Sequence, residues 1–437
     1  MNMNILVISR TAWKQNNSFG NTYNNIFGRM SDVRIANIYL ADGMPDMDNP
    51  NVTDYYKVSE REILKSCLRK KRTDTAVGYR VDPVEEVSNA QKCSDSYNKT
   101  MLHMKKNRWS IFFLAREIAW KLGNINWDGL LDFAKEFNPD IIFLPFYYAA
   151  YVDRVALFLK NRLNVPLVLE ASLDIYSLKQ LSFDPIYWMN RFYIRRYVRK
   201  TVKQAEKLYV ISDMMKRDYE NYLHVDCGIL YKFPDNERKL NEYKRKGGKL
   251  QFLFTGNIGS GRWKTLALIG NALKDSGVGE LVIFTPTPMT DKMKKRMSNC
   301  VLEAPVTPDK VVSLQNAADV LVHTESFDLR DKLEVRYSIS TKVMDYISAE
   351  RCIFAVGPSD IASISFLREN DLALVATNKK SIRDVIANIK ANRDLCLTYA
   401  QKSHFYMKNM VAAEPQQEIL KSDLKRIIDV YRSRNNA

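Results

Sequence analysis

The sequence predicts an α/β protein in which two Rossmann-like domains face each other across a cleft. The first observation is a regular alternation of apolar runs and helical stretches from residue 250 onward, and the second is a weaker alternation before residue 235. Residues 235–249 are charged, poor in apolar side chains and end in Gly-Gly, which predicts a linker between the halves. The 437 residues are enough for two hydrophobic cores.

The second half contains the clearer pattern. Its apolar runs are short and rich in Val, Ile, Leu and Phe, as buried parallel strands are, and helical segments separate them. This alternation predicts a doubly wound parallel sheet. The predicted strands are residues 250–256, 281–286, 301–306, 319–325, 352–358 and 372–377. The predicted helices are residues 264–275, 289–299, 308–316, 341–350 and 380–392.

The first half shows the same alternation less cleanly. Its apolar runs, which we expect to be strands, are residues 4–9, 33–40, 140–146, 166–171 and 207–212. Residues 55–125 are interpreted as a polar, lysine-rich insertion with helical character at its end. We therefore place an N-terminal domain at residues 1–234 and a C-terminal domain at residues 250–410. Residues 411–437 are predicted to form an amphipathic helix that packs back on a domain, the N-terminal one in our assignment.

Composition narrows the class of protein. Hydrophobic residues make up 46% and charged residues 27%, as in a globular chain. The six cysteines are widely separated, which gives neither a zinc spacing nor a disulfide framework and favours a reducing compartment. The N-terminal apolar run lacks the features of a signal peptide, and no window approaches the roughly 20 apolar residues that span a bilayer. We expect a cytoplasmic protein that could act at the inner face of the cytoplasmic membrane.

The net charge of +16 calls for a negatively charged partner, such as nucleic acid, anionic lipid or a phosphorylated small molecule. Residues 189–207 interleave apolar and basic side chains at helical spacing, a pattern suited to an anionic membrane surface. A core helix with a solvated basic face is the alternative. The cations of this segment on which the interpretation depends are Arg191, Arg195, Arg196, Arg199, Lys200 and Lys203.

The loop after the first predicted strand of the second half reads FTGNIGSGRWKTL. Gly256, Gly259 and Gly261 allow close approach of the backbone, and Arg262 and Lys264 bring positive charge to a helix start. These features predict a clamp for a diphosphate, because Arg presents a fork matched to phosphate oxygens and Lys a point charge. A glycine-rich turn with solvated cations is the alternative. The spacing matches neither a Walker loop nor a clean dinucleotide fingerprint.

A second loop of the same sheet begins the helix predicted at residues 341–350. Ser340, Thr341 and Lys342 stand at the helix start, where unpaired N–H groups and the helix dipole attract phosphate. Asp345 follows one turn later, within reach of the two hydroxyls of a ribose. An ordinary helix with Ser340 as its N-cap is the alternative. Together the two loops predict a site for a nucleoside diphosphate.

The segments ADVLVHTESFD and SISTKVMDYISAERCIFAVGP resemble the donor half of bacterial retaining glycosyltransferases of family four, in particular those that build capsular polysaccharide or exopolysaccharide. The resemblance implies the GT-B fold, with an acceptor-binding N-terminal domain and a donor-binding C-terminal domain. It implies transfer of a hexosyl group from a nucleotide-sugar donor to a hydroxyl of a lipid-linked or growing surface glycan, with retention. It implies neither a catalytic metal nor a cofactor other than the donor itself.

The resemblance also assigns roles on the donor side. Arg262 and Lys264 would hold the diphosphate, with Arg262 neutralising it as it departs. Asp345 would bind the ribose. The first glutamate of the family's paired motif falls on Tyr337, so that Glu325 or Glu334 could contact the donor sugar instead.

On the acceptor side, Gly20 matches a family glycine that approaches the donor phosphates, although a plain loop-to-helix turn fits the sequence equally. Glu170 and Asp174 follow a strand of the first domain and could orient or deprotonate the acceptor hydroxyl. Surface acids are the alternative for both. His323 ends a strand near the second loop, and we interpret it as a buried structural histidine.

Two other functions remain open at the level of sequence. A nucleotide-sugar epimerase could use the same two-domain architecture, but it would need cleft acids and histidines for proton transfer, and the chain has only four histidines. A basic protein that binds nucleic acid without catalysis would explain the charge. Phosphate-binding loops at strand ends favour a small-molecule site, so we expect no nucleic-acid partner.

Overall fold

The computed structural model describes residues 3–15, 17–28, 30, 32–68, 76–81, 110–233, 248–412 and 416–436. Most of the predicted linker and much of the predicted insertion lie outside these residues. The chain divides into two compact units. The first comprises Met1–Leu178, Ser182–Tyr231 and Gln416–Ala437, and the second comprises Lys179–Leu181 and Lys232–Pro415.

The first unit is built on an eight-stranded sheet with the order β4-β3-β2-β1-β5-β6-β7-β8. Seven strands are parallel and β4 pairs antiparallel with β3 at the edge. Because the order reverses between β1 and β5, loops at the carboxyl ends of these two strands diverge and leave a crevice. The strands are β1 (Met3–Ser9), β2 (Val33–Tyr39), β3 (Val52–Lys57), β4 (Tyr79–Arg80), β5 (Ile141–Pro145), β6 (Leu167–Ala171), β7 (Lys207–Val210) and β8 (Cys227–Ile229).

Helices connect these strands and cover the sheet, as the alternation in the sequence predicts. Asn17, Asn126, Asp184 and Ser212 supply N-caps with side-chain hydrogen bonds, so the helix starts are set by local sequence. The helices before the second unit are α1 (Ser18–Phe27), α2 (Glu60–Leu68), α3 (Ser110–Leu122), α4 (Trp127–Phe137), α5 (Ala150–Leu163), α6 (Pro185–Val202) and α7 (Asp213–Leu223).

The interpretation of residues 55–125 as an insertion is wrong for part of that range. Strand β3 begins at Val52 and extends the sheet beside β2, and β4 pairs with it. Tyr55 and Tyr56 of β3 are buried, so this segment contributes to the core. The polar residues Thr53, Asp54 and Lys57 on either side of the two tyrosines hid the strand, since they leave no continuous apolar run. The helix predicted at the end of the range is α3.

The second unit contains a six-stranded parallel sheet with the order β11-β10-β9-β12-β13-β14. This is the order 3-2-1-4-5-6 of a doubly wound Rossmann sheet, with the reversal between β9 and β12. The prediction of two Rossmann-like α/β sheets is confirmed. The strands are β9 (Leu250–Thr255), β10 (Gly279–Phe284), β11 (Val301–Glu303), β12 (Val320–Thr324), β13 (Cys352–Val356) and β14 (Leu374–Ala376).

The five helices that the sequence predicts in this unit are present, and three helices were not predicted, the short α11 and α13 and the longer α15. Side chains of β9, β10, β12 and β13 form a core with one face of the helix that follows β9. The helices are α8 (Arg262–Ser276), α9 (Asp291–Arg296), α10 (Pro308–Ala317), α11 (Leu329–Val335), α12 (Thr341–Ser348), α13 (Ala362–Glu369), α14 (Lys379–Ala391) and α15 (Asp394–Ala412).

The last helix, α16 (Gln416–Asn436), belongs to the first unit. Leu424 of α16 is fully buried, and Tyr209 of β7 donates a hydrogen bond to Asp423. Tyr431 likewise donates to Asn164, with 3.1 Å between the oxygen atoms. None of the helices in the described ranges is both long and apolar enough to cross a membrane.

Candidate functional site

The carboxyl edge of the second unit's sheet brings both predicted phosphate loops together. The loop after β9 leads into α8, and the loop after the neighbouring strand β12 begins with Glu325. The two strands flank the point where the strand order reverses, which is where open α/β sheets bind ligands. The residues that the sequence predicts for binding of the nucleotide-sugar donor therefore lie at the carboxyl edge of the sheet.

Arg262 is the first residue of α8, and Glu325 holds its guanidinium. Arg262 Nε lies 3.0 Å from Glu325 Oε2, and Nη2 lies 3.1 Å from Oε1, so the pair is bidentate. The Glu325 side chain is 3% exposed and that of Arg262 19%. Burial raises the pKa of Glu325, and the charge of Arg262 opposes this rise. The arrangement fixes the fork of Arg262 while one side of it stays open to solvent.

The glycines of the first loop make specific close contacts. Gly261 is the N-cap of α8 with φ of 72°, and a Cβ atom there would lie 2.3 Å from the Ser326 hydroxyl oxygen. Gly256 has φ of 117°, and a Cβ atom there would lie 2.9 Å from Cε of Lys342. Gly259 donates its backbone N–H to the side chain of Asn257. The loop needs glycine to let Lys342 pass close to the backbone.

Lys342 lies beside the same loop. Its Nζ is 4.4 Å from the centroid of the Phe254 ring on β9, and the residue is half-buried. Burial lowers the pKa of Lys342 from 10.5 to about 8; the charge of Arg262 lowers it further, while Glu325 and Asp345 act in the opposite direction. Two cations therefore converge on one edge with a single buried carboxylate between them. Such a site favours an anion with more than one negative charge.

The start of α12 differs from an ordinary capped helix. Ser340 occupies the N-cap position, but its hydroxyl makes no capping hydrogen bond. Ser340 is half-buried and Thr341 is exposed, so both hydroxyls can reach a ligand. Ser340 is therefore the N-cap residue, as the alternative expects, but it lacks the side-chain hydrogen bond of an ordinary capped helix. The open helix start remains suited to phosphate.

Asp345 forms an ion pair that the sequence did not suggest. Lys232 Nζ lies 2.7 Å from Asp345 Oδ1, and the Asp345 side chain is 33% exposed. The pairing fixes one oxygen of a carboxylate that is still partly open to solvent. Tyr337, at the position of the family's first glutamate, is 2% exposed and lies under the Arg336 guanidinium, 4.4 Å from its ring centroid. Glu334, the other candidate for contact with the sugar, lies on α11 and is half-buried.

Lys264 differs from this cluster in its surroundings. It forms an ion pair with Asp328, and both side chains are nearly half exposed. Exposed pairs of this kind contribute little to stability and exchange readily with solvent. Of the two cations predicted in the first loop, Arg262 is the one held in place by a buried partner.

His323 is a buried residue, as interpreted from the sequence. Its Nε2 is 2.9 Å from the Ser363 hydroxyl oxygen and its side chain is 3% exposed. Burial and the charges of Lys342 and Arg262 lower the pKa of His323 to about 3. The imidazole is therefore neutral at physiological pH, and its hydrogen bond with Ser363 joins β12 to α13.

In the first unit, Glu170 is the last residue but one of β6 and is 3% exposed, so it belongs to the strand and not to the loop after it. Tyr23 of α1 donates to Oε2 at 2.7 Å and Ser172 donates to Oε1 at 2.6 Å. Burial raises the pKa of Glu170 from 4.5 to about 7, although both hydrogen bonds lower it. A carboxyl group with a pKa near neutrality is suited to proton transfer. The alternative of a surface acid is wrong for this residue.

Asp174 is also buried, but its environment is that of a structural group. Arg191 Nη2 lies 3.1 Å from Asp174 Oδ1, and both side chains are 3% exposed. The backbone N–H groups of Tyr176 and Ser177 and the Ser177 hydroxyl donate to the same carboxylate. The interpretation of Asp174 as a surface acid is therefore wrong. Its oxygens are occupied by the loop that follows β6.

Gly20 lies in the first turn of α1, where its N–H donates to the N-cap Asn17 at 2.7 Å. A Cβ atom at Gly20 would lie 2.0 Å from the carbonyl oxygen of Lys14. Close packing of the helix start on the preceding loop thus requires glycine here. Within the ranges that the structure describes, no group of three or more His, Cys, Asp or Glu side chains could hold a metal ion.

Comparison with known proteins finds similar structures but no similar sequences. No protein-family model and no curated protein sequence matches the chain. Sucrose-phosphate synthase from Thermosynechococcus elongatus matches with a TM-score of 0.62 at 9% identity, over 98% of this chain and 99% of that one. Trehalose-6-phosphate from E. coli bound with UDP-2-fluoro glucose matches with a TM-score of 0.58 at 11% identity, over 97% and 99%.

The chain has the GT-B fold. TarM also matches, with a TM-score of 0.51 and 13% identity, over 70% of this chain; the match spans only 58% of the TarM chain. At these identities the likeness concerns the GT-B fold alone, with its two Rossmann-like domains. The arrangement of Arg262, Glu325 and Lys342 at the edge of the second sheet is an observation on this chain alone and does not come from the neighbours.

The sequence missed several partners of the site. Glu325 was proposed only as a contact for the donor sugar, and its ion pair with Arg262 spans 63 residues. Lys232 and Tyr23 were not considered. No local signal could have found them, because each meets its partner only through the folding of distant segments.

Proposed function

We propose that this chain is a glycosyltransferase that moves a sugar from a nucleotide-diphosphate sugar to a hydroxyl acceptor. The observation that carries the proposal is the convergence of Arg262 and Lys342 on the reversal point between β9 and β12, in a chain with the GT-B fold. Two cations on this edge match a diphosphate in charge. The structural neighbour from E. coli holds a UDP-sugar analogue, which makes uridine donors the first to test.

In this proposal the diphosphate binds the edge of the Arg262 guanidinium that Glu325 leaves open, formed by Nη1 and the second hydrogen of Nη2. Lys342 adds a point charge from the start of α12. The hydroxyl groups of Ser340 and Thr341 donate hydrogen bonds to the oxygens of the diphosphate. Gly256 and Gly259 let the backbone of the first loop approach the diphosphate closely. Lys264 is an outer cation that can leave Asp328 for the ligand.

Asp345 is proposed to accept hydrogen bonds from the ribose hydroxyls, with Lys232 holding its other side. Glu325 then acts as a positioning residue for Arg262. If Glu325 also contacts the donor sugar, it does so while it accepts two hydrogen bonds from Arg262. Each of its carboxylate oxygens then has one further lone pair that can accept a hydrogen bond from the sugar.

The chemistry follows from the charge at this edge. As the bond from the sugar to the diphosphate breaks, Arg262 and Lys342 neutralise the negative charge on the departing group. Their presence supports transfer without a catalytic metal. Retention of configuration and membership of family four rest on the resemblance in sequence, and we propose both on that ground.

The first unit is proposed to bind the acceptor, a hydroxyl of a lipid-linked or growing surface glycan such as capsule. Glu170, with its pKa near 7, is the better candidate for orienting or deprotonating that hydroxyl. Asp174 is the weaker candidate, because its carboxylate is held in a buried ion pair with Arg191 as well as by hydrogen bonds from its own loop. We assign it the task of holding that loop against α6.

The test is a turnover assay with a panel of nucleotide sugars, with release of nucleoside diphosphate and the anomeric form of the product as readouts. Wild type and Lys274→Ala, which removes an exposed cation from the last turn of α8, should turn over the same donor. Arg262→Ala should lose most of that activity, about 100-fold, as removal of one charge-stabilising donor does. Equal activity of all three proteins, or a donor sugar that changes configuration without transfer, would contradict the proposal.

A further inference from the structure

Helix α6 separates its cations into two groups, a division that the sequence did not reveal. Arg191 is buried in its pair with Asp174. Arg195 donates to the carbonyl oxygen of Tyr176 and lies 4.0 Å from the centroid of the Tyr176 ring. Arg199 donates to the Tyr176 hydroxyl. These three arginines bind the loop after β6, so the basic segment is not one uniform solvated face.

The other cations share a different side of the helix. Met189, Phe192, Arg196, Lys200 and Lys203 follow one another at intervals of three or four residues, which places them along one stripe of an α-helix. All five are exposed, Met189 at 59% and Phe192 at 57%. We call these five residues the α6 stripe. Its first part is apolar and the remainder is cationic.

Neighbouring segments of the first unit extend the apolar end of the α6 stripe. Phe183, immediately before the helix, is 94% exposed. Asn190 donates to the carbonyl oxygen of Ser110 at 2.8 Å, which joins the start of α3 to the turn of α6 that carries Met189. Ile111, the next residue of α3, is 58% exposed. Four large apolar side chains thus stand in solvent around one helix start, which marks an interaction surface rather than scattered exposure.

We propose that the α6 stripe, with Phe183 and Ile111, is the surface through which this protein binds an anionic lipid bilayer. The apolar side chains would enter the boundary between headgroups and acyl chains, and the three cations would lie over the negatively charged headgroups. The protein's net charge of +16 favours the same approach. The order of apolar and basic groups along the stripe fits a bilayer better than a nucleic acid, whose contacts need cations distributed along a phosphate backbone.

This inference deepens the proposed function, on which it rests, because a bilayer-bound enzyme meets a lipid-linked acceptor at the membrane. Its test is independent of catalysis. The full-length protein is mixed with vesicles of phosphatidylcholine alone and with vesicles that also contain phosphatidylglycerol, and the bound fraction is measured by flotation. Binding should require phosphatidylglycerol and should weaken as salt is added.

Two variants and a matched control separate the contributions of the cations and of the apolar side chains to vesicle binding. Lys200→Gln/Lys203→Gln should weaken binding about 30-fold, which is the loss of two cations at about 1 kcal/mol each. Phe183→Ser/Phe192→Ser should remove the binding that persists at high salt. Lys292→Gln/Lys295→Gln on α9 changes the net charge equally at exposed positions of the other unit and should bind like wild type.

Several outcomes would overturn the inference. Binding that does not depend on phosphatidylglycerol, or the same loss in the α9 control, would show that the stripe is not the lipid surface. A dimer that dissociates on Phe183→Ser/Phe192→Ser would assign the patch to a second copy of the chain. Salt-sensitive binding of duplex DNA that is lost in Lys200→Gln/Lys203→Gln would assign the cations to nucleic acid. Loss of donor turnover with vesicle binding intact would contradict the proposed function alone.

Discussion

Arg262 and Glu325 form a bidentate ion pair between the helix that follows β9 and the loop that follows β12, with N–O distances of 3.0 and 3.1 Å. The carboxylate is almost fully buried and the guanidinium is partly open. The pair therefore ties the two loops that flank the reversal of strand order. It also partly neutralises the cation that we assign to the diphosphate.

Replacement of Glu325 by Gln should separate these two effects. One hydrogen bond to Arg262 can remain, but the charge partner is lost, so we expect the free energy of unfolding to fall by about 1 to 3 kcal/mol. The site becomes more positive, so nucleoside diphosphate should bind about fivefold more tightly. Thermal denaturation with and without nucleotide measures both quantities. A variant that is less stable and also binds more weakly would show that positioning outweighs charge.

Binding of nucleoside diphosphate should depend on pH through Lys342. The groups that face its ammonium are Arg262, Glu325 and Asp345, and burial is the main reason why its pKa is lowered to about 8. The protonated form binds phosphate, so affinity should be full below pH 8 and decline as the pH rises through that value. Titration of the nucleotide at several pH values measures the decline.

The matched variant is Lys342→Arg, whose guanidinium keeps its charge at every pH used. It should bind with an affinity that no longer falls above pH 8. An equal decline in both proteins would assign the pH dependence to another group.

Replacement of Glu170 by Gln should stabilise the protein above neutral pH. Folding raises the pKa of this carboxyl group from its ordinary value of 4.5 to about 7, so its ionisation costs stability as the pH rises from 4.5 through 7. Removal of the ionisable group should recover up to about 3 kcal/mol at pH 8 and nothing near pH 4.5. Melting curves of the two proteins across this range measure the difference.

The same variant tests the proposed role of Glu170 toward the acceptor. If the carboxyl group orients or deprotonates the hydroxyl, transfer should fall while donor binding remains unchanged. A more stable variant with normal transfer would leave Glu170 a purely structural residue.

Asp174 and Asp328 offer a comparison of two ion pairs. Asp174→Asn leaves Arg191 as an uncompensated buried charge, so the free energy of unfolding should drop by about 3 to 5 kcal/mol. Asp328→Asn breaks an exposed pair and should change it by less than about 1 kcal/mol. Denaturant unfolding of both variants measures the contrast. Similar small losses in both would contradict a structural role for the pair of Asp174 and Arg191.

Much of the fold could be predicted because the controlling signals are local. Apolar runs of strand length between helical segments marked all six strands of the second unit. β3 escaped notice because polar residues flank its two adjacent tyrosines, which leaves no apolar run of strand length. The short helices α11 and α13 escaped because neither has a side-chain cap or room for a full hydrophobic repeat.

The candidate site was predictable in position but not in detail. Glycines followed by cations indicated the loop, and the order of strands put it at the right edge. The partners of Arg262 and Asp345 come from residues 63 and 113 positions away, and only the tertiary structure joins them. The direction in which each cation of α6 points was also beyond the sequence, because the pattern repeats on more than one side of the helix.

Calorimetric titration of nucleoside diphosphates into the full-length protein tests the central claim most directly. One nucleotide should bind wild type and Lys274→Ala alike and bind Arg262→Ala about 30-fold more weakly, since a charge-assisted bidentate contact contributes about 2 kcal/mol. That result would place the diphosphate at the reversal between β9 and β12. Binding that is unaffected by Arg262→Ala, or no binding of any nucleoside diphosphate to wild type, would contradict the account.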